Sequence, residues 1–191
     1  MLSGLVHVGP AWDALVPGVQ SRSEFWQVVR LGGSQIGSRA GDPGDIMETM
    51  TSWRDSASQQ AQGDLDGLLN MTLPFAQQML AKHGEFYPFG ATVTTGGEAR
   101  LIAGELGREH PASSDVLSLL VERLRQDRGG LRAVAICSNV RLPDSDAVRV
   151  DLEHRDGHAM AVLMPYKEKR FGRGIEYDDL RGGTAGKQVW T

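Results

Sequence analysis

Two apolar runs on either side of Asp156-Gly157 constrain the fold more than any other part of the sequence. Val148, Val150 and Leu152 alternate with charged residues, and residues 159–164 form a second, almost uncharged run. Alternation with a period of two is typical of a half-buried strand, and Asp-Gly between two such runs is a strong signal for a two-residue hairpin turn. The chain is therefore expected to build an antiparallel sheet.

Three further runs predict more strands. Residues 131–140 are nearly uncharged and rich in small and β-branched residues, which is typical of a central strand covered on both faces. Residues 86–94 and 99–103 are extended runs joined by a Gly-containing turn, so they predict a second hairpin. Pro165 is expected to end the last strand of the first hairpin, and the Gly-rich tail beyond it predicts only short extensions.

Two amphipathic segments predict the main helices. The first is expected to start at Asp64 or Asp66 and to stop at Gly84, with Pro74 either kinking it or starting a new helix. The second is expected within residues 111–128, where apolar residues recur at helical spacing before a Gly-Gly pair.

Together these elements predict the order α-β-β-α-β-β-β. We expect an α+β domain with a mainly antiparallel sheet of about five strands and the two main helices on one face. This domain is assigned to residues 63–191. Residues 1–62 are interrupted by Gly and Pro, so we expect an N-terminal extension that is only partly helical.

Composition excludes several classes of protein. The 191 residues carry a formal net charge of -4, which argues against a surface built for nucleic acid. No run reaches the roughly 18 apolar residues of a membrane span, and the first residues lack the pattern of a signal peptide. We therefore expect a cytoplasmic protein with no membrane partner, and nucleic acid is a disfavoured partner. The single cysteine, Cys137, lies in the most apolar strand and is expected to be a small core residue.

Motifs for catalysis, metals and cofactors are missing from the sequence. The two-residue turn would send His154 and His158 to opposite faces of the sheet, so we expect no metal site there. No phosphate loop, dinucleotide fingerprint or Gly-x-Ser-x-Gly motif is present. We assign no catalytic residue, no metal and no cofactor, and whether the chain is an enzyme stays open, with the balance against it.

The most distinctive surface feature is a basic run with aromatic residues after the last long strand. Arg and aromatic side chains are common at protein interfaces, so this run predicts a contact with a partner protein. The alternative is a solubilising loop that guards a sheet edge. Large apolar residues of the N-terminal extension also need a surface, on the same chain or on a partner. The candidate binding residues are Tyr166, Lys167, Lys169, Arg170, Arg173, Tyr87, Trp26 and Trp53.

These features predict a non-enzymatic protein-binding or accessory protein, for example an immunity-like protein that caps a partner. We expect a protein partner or a homo-oligomer. The alternative is a small-molecule or phosphate-handling enzyme that uses the neighbourhood of Asp151, Glu153 and His158, together with Lys167 or Arg170. Nucleic-acid binding through the basic run is a third possibility, disfavoured by the net acidity.

Three segments carry a resemblance. They are Phe75–Gly90 (FAQQMLAKHGEFYPFG), Val150–His154 and Val162–Arg170 (VLMPYKEKR). In these segments the chain resembles a group of small bacterial α+β proteins of uncharacterised function, which have an FYPFG segment early and an LPYK-like segment late. The resemblance covers about residues 64 to 180 and implies the fold class, but it implies no activity and no catalytic residue.

Overall fold

A computed structural model describes residues 5–8, 53–104, 111–169 and 174–191. These residues form one antiparallel sheet of eight strands and two main helices. In chain order the elements are β1 (Leu5–Val8), α1 (Gln59–His83), β2 (Phe89–Thr94), β3 (Ala99–Gly104), α2 (Ser113–Asp127), β4 (Leu131–Arg141), β5 (Asp146–His154), β6 (Ala159–Glu168), β7 (Ile175–Tyr177) and β8 (Arg181–Thr184).

The strand order across the sheet is β1-β3-β2-β4-β5-β6-β7, and β8 also pairs with β6. Every pair is antiparallel. The α+β class and the order α-β-β-α-β-β-β over α1 to β6 are confirmed, and β4 is the central strand as predicted. The sheet has eight strands rather than about five, because β1, β7 and β8 add short strands at its edges.

The expectation that both helices cover one face is wrong, because β4 is apolar on both of its faces. Leu65 and Leu68 of α1 share a core cluster with Ala135 and neighbouring odd-numbered residues of β4. Leu120 of α2 belongs to a second cluster with Val134 and the next even-numbered residue of that strand. Successive residues of a strand point to opposite faces of its sheet. The α1 side is called the first face below, and the α2 side the second face.

Helix α1 begins earlier than predicted. Ser58 is its N-cap, and the Ser58 hydroxyl accepts a hydrogen bond from the Ala61 N–H at 3.1 Å. Pro74 lies inside the helix without ending it, and Gly84 ends it in the left-handed conformation with a φ of 76°. Asp64 is therefore a helix-interior residue rather than a cap, and its carboxylate is free to bind elsewhere.

The described part of the N-terminal extension contacts the domain. Residues 5–8 pair with β3, so that Leu5 lies opposite Gly104. Residues 53–56 are helical, and Trp53 packs in part against the first-face core. The division of the chain at residues 62 and 63 stays a prediction.

Candidate functional site

A shallow cleft, largely open to solvent and about 390 Å³ in volume, lies at one end of the sheet, between the β4–β5 connection and the last residues of β6. The β4–β5 turn that lines part of the cleft is fixed by a hydrogen bond from the Leu142 N–H to the Ser145 carbonyl, at 2.8 Å. The residues that line the cleft are Arg141, Leu142, Pro143, Ser145, Asp146, Tyr166, Lys167 and Glu168.

The strand register brings the lining residues together. Arg141 on β4 lies opposite Asp146 on β5, and Asp146 lies opposite Tyr166 on β6. On the outer side of β6, Tyr166 lies opposite Tyr177 of β7. Four strands thus each contribute one residue to a row across the sheet end, and the members of this row on β4, β5 and β6 line the cleft.

Charges of both signs surround the cleft. Arg141 Nε lies 3.3 Å from Asp146 Oδ1, and the Arg141 side chain is 88% exposed. Lys167 and Glu168 are exposed, and Lys167 lies opposite Glu176 of β7. An exposed ion pair such as Arg141–Asp146 contributes little to stability, so the fold does not depend on this contact.

Tyr166 is a wall of the cleft rather than an exposed binding residue. It is only 5% exposed, and its hydroxyl donates a hydrogen bond to Asn139 Oδ1 at 3.0 Å. Burial raises the pKa of the Tyr166 phenol; the Asn139 hydrogen bond lowers it, the charges of Asp146 and Glu168 raise it and that of Arg141 lowers it.

The other predicted binding residues are found in different settings. Lys169 is exposed just beyond β6, and Tyr87 is 48% exposed before β2. Trp53 is half-buried, with the Arg54 guanidinium 4.7 Å from its ring centroid. Arg170, Arg173 and Trp26 lie outside the described residues. The structure therefore brings Tyr166 and Lys167 into one cleft, and the binding role of the whole set stays a prediction.

The carboxylates considered for catalysis are held by partners within the chain. Asp151 accepts hydrogen bonds from the Arg149 guanidinium at 2.7 and 3.0 Å. Glu153 is only 4% exposed and accepts backbone N–H groups from residues 188–190. His158 is half-buried where β6 begins.

The predicted two-residue turn between β5 and β6 is wrong by one residue. Glu153 pairs with Ala159, and the His154 N–H donates to the His158 carbonyl at 2.8 Å, which leaves residues 155–157 as the turn. Gly157 has a φ of 104°, as a three-residue turn that closes on a glycine bulge requires. The argument that the two histidines face opposite ways no longer holds. Within the described ranges, no three His, Cys, Asp or Glu side chains are grouped as metal ligands would be.

A buried polar cluster on the first face has no counterpart in the sequence predictions. The Arg132 guanidinium donates to both oxygens of Asp64, at 2.5 and 2.9 Å. His154, with its side chain 1% exposed, places Nε2 3.4 Å from Asp64 Oδ2, and its Nδ1 accepts the Asp156 N–H at 3.2 Å. One signal was available: Arg132 is a single charge inside the otherwise apolar run of residues 131–137, and such a charge is seldom buried without a partner.

Comparison of the chain with family models, with curated proteins and with solved structures found no match. Neither helix of the described ranges is long and apolar enough to cross a membrane. The site itself is therefore the basis for any functional inference.

Proposed function

We propose that this chain is a non-enzymatic protein-binding protein that contacts its partner through the cleft at the end of β4, β5 and β6. The observation that carries the proposal is the composition of the cleft wall. Leu142 and Pro143 supply apolar surface beside the exposed guanidinium of Arg141 and the exposed ammonium of Lys167. A small apolar centre with a charged rim is typical of protein interfaces.

The alternation of charge favours a protein over a nucleic acid. A nucleic-acid backbone is bound by basic residues that neutralise successive phosphates. In the cleft, Asp146 and Glu168 lie beside the basic residues, and Glu176 lies opposite Lys167. A protein surface carries both signs of charge and can match such a pattern, which also gives specificity.

The partner is a protein, either a different chain, as an accessory or immunity-like role requires, or a second copy of this one. The enzyme alternative receives less support, because Asp151 is held by Arg149 and Glu153 by backbone N–H groups. Both carboxylates already have a structural use.

Site-specific photo-crosslinking in the native host tests the proposal. A benzophenone amino acid replaces Lys167 in one variant and Arg128 in a control. Both residues are exposed, and they lie near opposite ends of β4, which at about 3.3 Å per residue places them roughly 30 Å apart. We expect one dominant crosslinked protein from position 167, and Arg141→Glu should lower the yield of that crosslink. Position 128 should give no crosslink of equal yield. Equal labelling from both positions, or no crosslink from position 167, would contradict the proposal.

A further inference from the structure

Strand β4 is longer than its neighbour β2, and this leaves part of one edge of β4 open. The last pair between the two strands is Phe89 with Cys137, whereas β4 continues to Arg141. The chain reaches β2 from the first face, where the Phe86 ring lies 5.7 Å from the Phe89 ring within the core cluster. Residues 138–141 therefore have β5 on one side and, within the described ranges, no strand on the other.

The open edge presents the backbone groups of Asn139 and Arg141. Successive residues of a strand direct their backbone hydrogen bonds to opposite neighbours. The Leu142 N–H donates to the Ser145 carbonyl, toward β5, so odd-numbered residues at this end of β4 are directed away from β5. In the part of the chain that the structure describes, no backbone group is hydrogen-bonded to the N–H or the carbonyl of Asn139 or Arg141. Both residues are exposed, so their donors and acceptors are free to pair with another strand.

This edge is complementary to a second copy of itself. When two copies run antiparallel with Asn139 of each opposite Arg141 of the other, every outward N–H and carbonyl of these two residues finds a partner. Val140 then lies directly opposite Val140 of the second copy, on the two-fold axis. Val140 is half-buried and lies on the second face, as Val134 and Ile136 do. A direct pair of β-branched side chains across two strands is a stabilising contact.

The adjacent registers are excluded by the structure. A shift that places the two Asn139 residues opposite each other would bring Arg141 of one copy to the position that Phe89 occupies beside β4 in the other. The opposite shift places the two Arg141 charges against each other and leaves Asn139 facing Pro143, which has no N–H. In the remaining register the exposed Arg141 guanidinium lies beside the Asn139 carboxamide. Asn139 Oδ1 accepts the Tyr166 hydroxyl and has a second lone pair for this donor.

We infer that the open edge of β4 over residues 138–141 is a homodimer interface, in which a second copy of this chain extends the sheet across a two-fold axis at Val140. The first faces of both copies lie on the same side, so the two clefts are neighbours, because Arg141 belongs both to the edge and to the cleft. The interface uses the backbone of the edge rather than the wall of the cleft, and it does not depend on the proposed function. An interface this short is small, so the dimer is weak, with a Kd on the order of 0.1 mM.

Cysteine trapping tests the register. Val140→Cys places two thiols opposite each other at the axis, within the Cα separation of about 4.4–6.8 Å that a disulfide spans. Ser138→Cys is the control, because Ser138 is also half-buried on the same face of β4. Its two copies would be separated by at least about 13 Å along the strands, too far for a disulfide. Both variants retain the buried Cys137. At equal protein and oxidant concentrations, we expect disulfide dimers to form at least about tenfold faster from Val140→Cys.

Sedimentation equilibrium of the parent chain and of Val140→Lys supplies an independent measurement. The lysine places two like charges opposite each other at the axis, and Val140 does not line the cleft. We expect the average mass of the parent to rise from monomer toward dimer between about 10 μM and 1 mM. Val140→Lys, with folding checked by circular dichroism, should stay monomeric, and the cysteine variants do not rely on it.

Three results would each overturn the inference. They are a parent chain that stays monomeric over this range, equal disulfide rates at positions 138 and 140, and a folded Val140→Lys variant that dimerises as the parent does. Crosslinks from position 167 are measured separately and test the cleft alone.

Discussion

Asp64 and Arg132 are 68 positions apart in the chain, and the Arg132 guanidinium donates to both oxygens of the Asp64 carboxylate. The pair joins α1 to the first residues of the central strand, and its side chains are only 10% and 18% exposed. His154 of β5 lies against the same carboxylate. One ion pair thus fixes the helix over two adjacent strands.

Breaking this pair from one side is expected to destabilise the fold. Arg132→Met leaves the Asp64 carboxylate without its cation, and removal of one partner of a buried pair costs more than replacement of both. In urea denaturation we expect Arg132→Met to be less stable than the double variant with Asp64→Asn. The control is Arg149→Met, because the Arg149 side chain is 38% exposed. Its loss of unfolding free energy should be roughly half that of Arg132→Met or less. Equal losses for the two single variants would refute this account of the pair.

Gly90 of the FYPFG segment is expected to tolerate no side chain. A Cβ there would lie 2.9 Å from the Ala135 carbonyl oxygen and 3.2 Å from Ile102 Cγ1, because β2 is packed between two strands. Gly90→Ala should cost about 1–3 kcal/mol of unfolding free energy, as overpacking does. Gly129→Ala, where a Cβ meets nothing within 4 Å, is the control and should change stability by less than about 0.5 kcal/mol. A neutral Gly90→Ala would show that the backbone spacing is looser than described.

Cys137 is expected to be unreactive while the protein is folded. The thiol is fully buried on β4, and burial raises its pKa well above the usual range, with the negative charge of Asp151 adding to the effect. The thiolate is the reactive form. Labelling with an aromatic disulfide at pH 8 should therefore follow the urea unfolding transition. Rapid stoichiometric labelling of the native protein would contradict the burial of this strand.

Tyr166 is expected to make the protein sensitive to alkaline pH. Burial raises the pKa of its phenol in the folded state above the ordinary value of 10.0. Its contribution to stability is therefore complete below pH 10 and is lost as the pH rises through the folded-state pKa. Urea midpoints measured from pH 8 to pH 11 should fall less steeply for Tyr166→Phe. At pH 8 that variant should lose about 1 kcal/mol, since it lacks the hydrogen bond to Asn139. Parallel pH profiles would refute the assignment.

Hydrophobic periodicity predicted those helices and strands whose buried residues recur at regular spacing along the chain. The long helix, both hairpins and the central strand are present, although the helix begins earlier and the β5–β6 turn is one residue longer than predicted. The early start of α1 was hidden because the first residues after Ser58 are polar, and its cap is defined by a hydrogen bond rather than by apolar spacing. Asp-Gly is found both in two-residue hairpin turns and in three-residue turns that end in a glycine bulge. The two residues alone therefore could not fix the strand register at Gly157.

Long-range contacts account for the features that local patterns missed. Strand β6 continues through Pro165 to Glu168, although a strand end was predicted there. The Pro165 carbonyl accepts a hydrogen bond from the Asp178 N–H on the side of β6 that faces away from β5. The nitrogen of Pro165 points to the same side as its carbonyl. The N–H that proline lacks therefore removes no hydrogen bond between β6 and β5. Glu153 and residues 188–190 are brought together across 35 to 37 positions. Nothing in the local sequence around Glu153 or residues 188–190 indicates that they lie in contact.

The proposed interface is tested most directly by the affinity of the partner crosslinked at position 167, measured by calorimetry with purified proteins. The account predicts that Arg141→Glu with Lys167→Glu weakens binding at least tenfold, on the order of 1.4 kcal/mol or more, since charge reversal places like charges against the partner. Arg128→Glu, near the opposite end of β4, should leave the affinity unchanged. Equal affinities for the parent chain and the double variant, or an equal loss for Arg128→Glu, would contradict binding at this cleft.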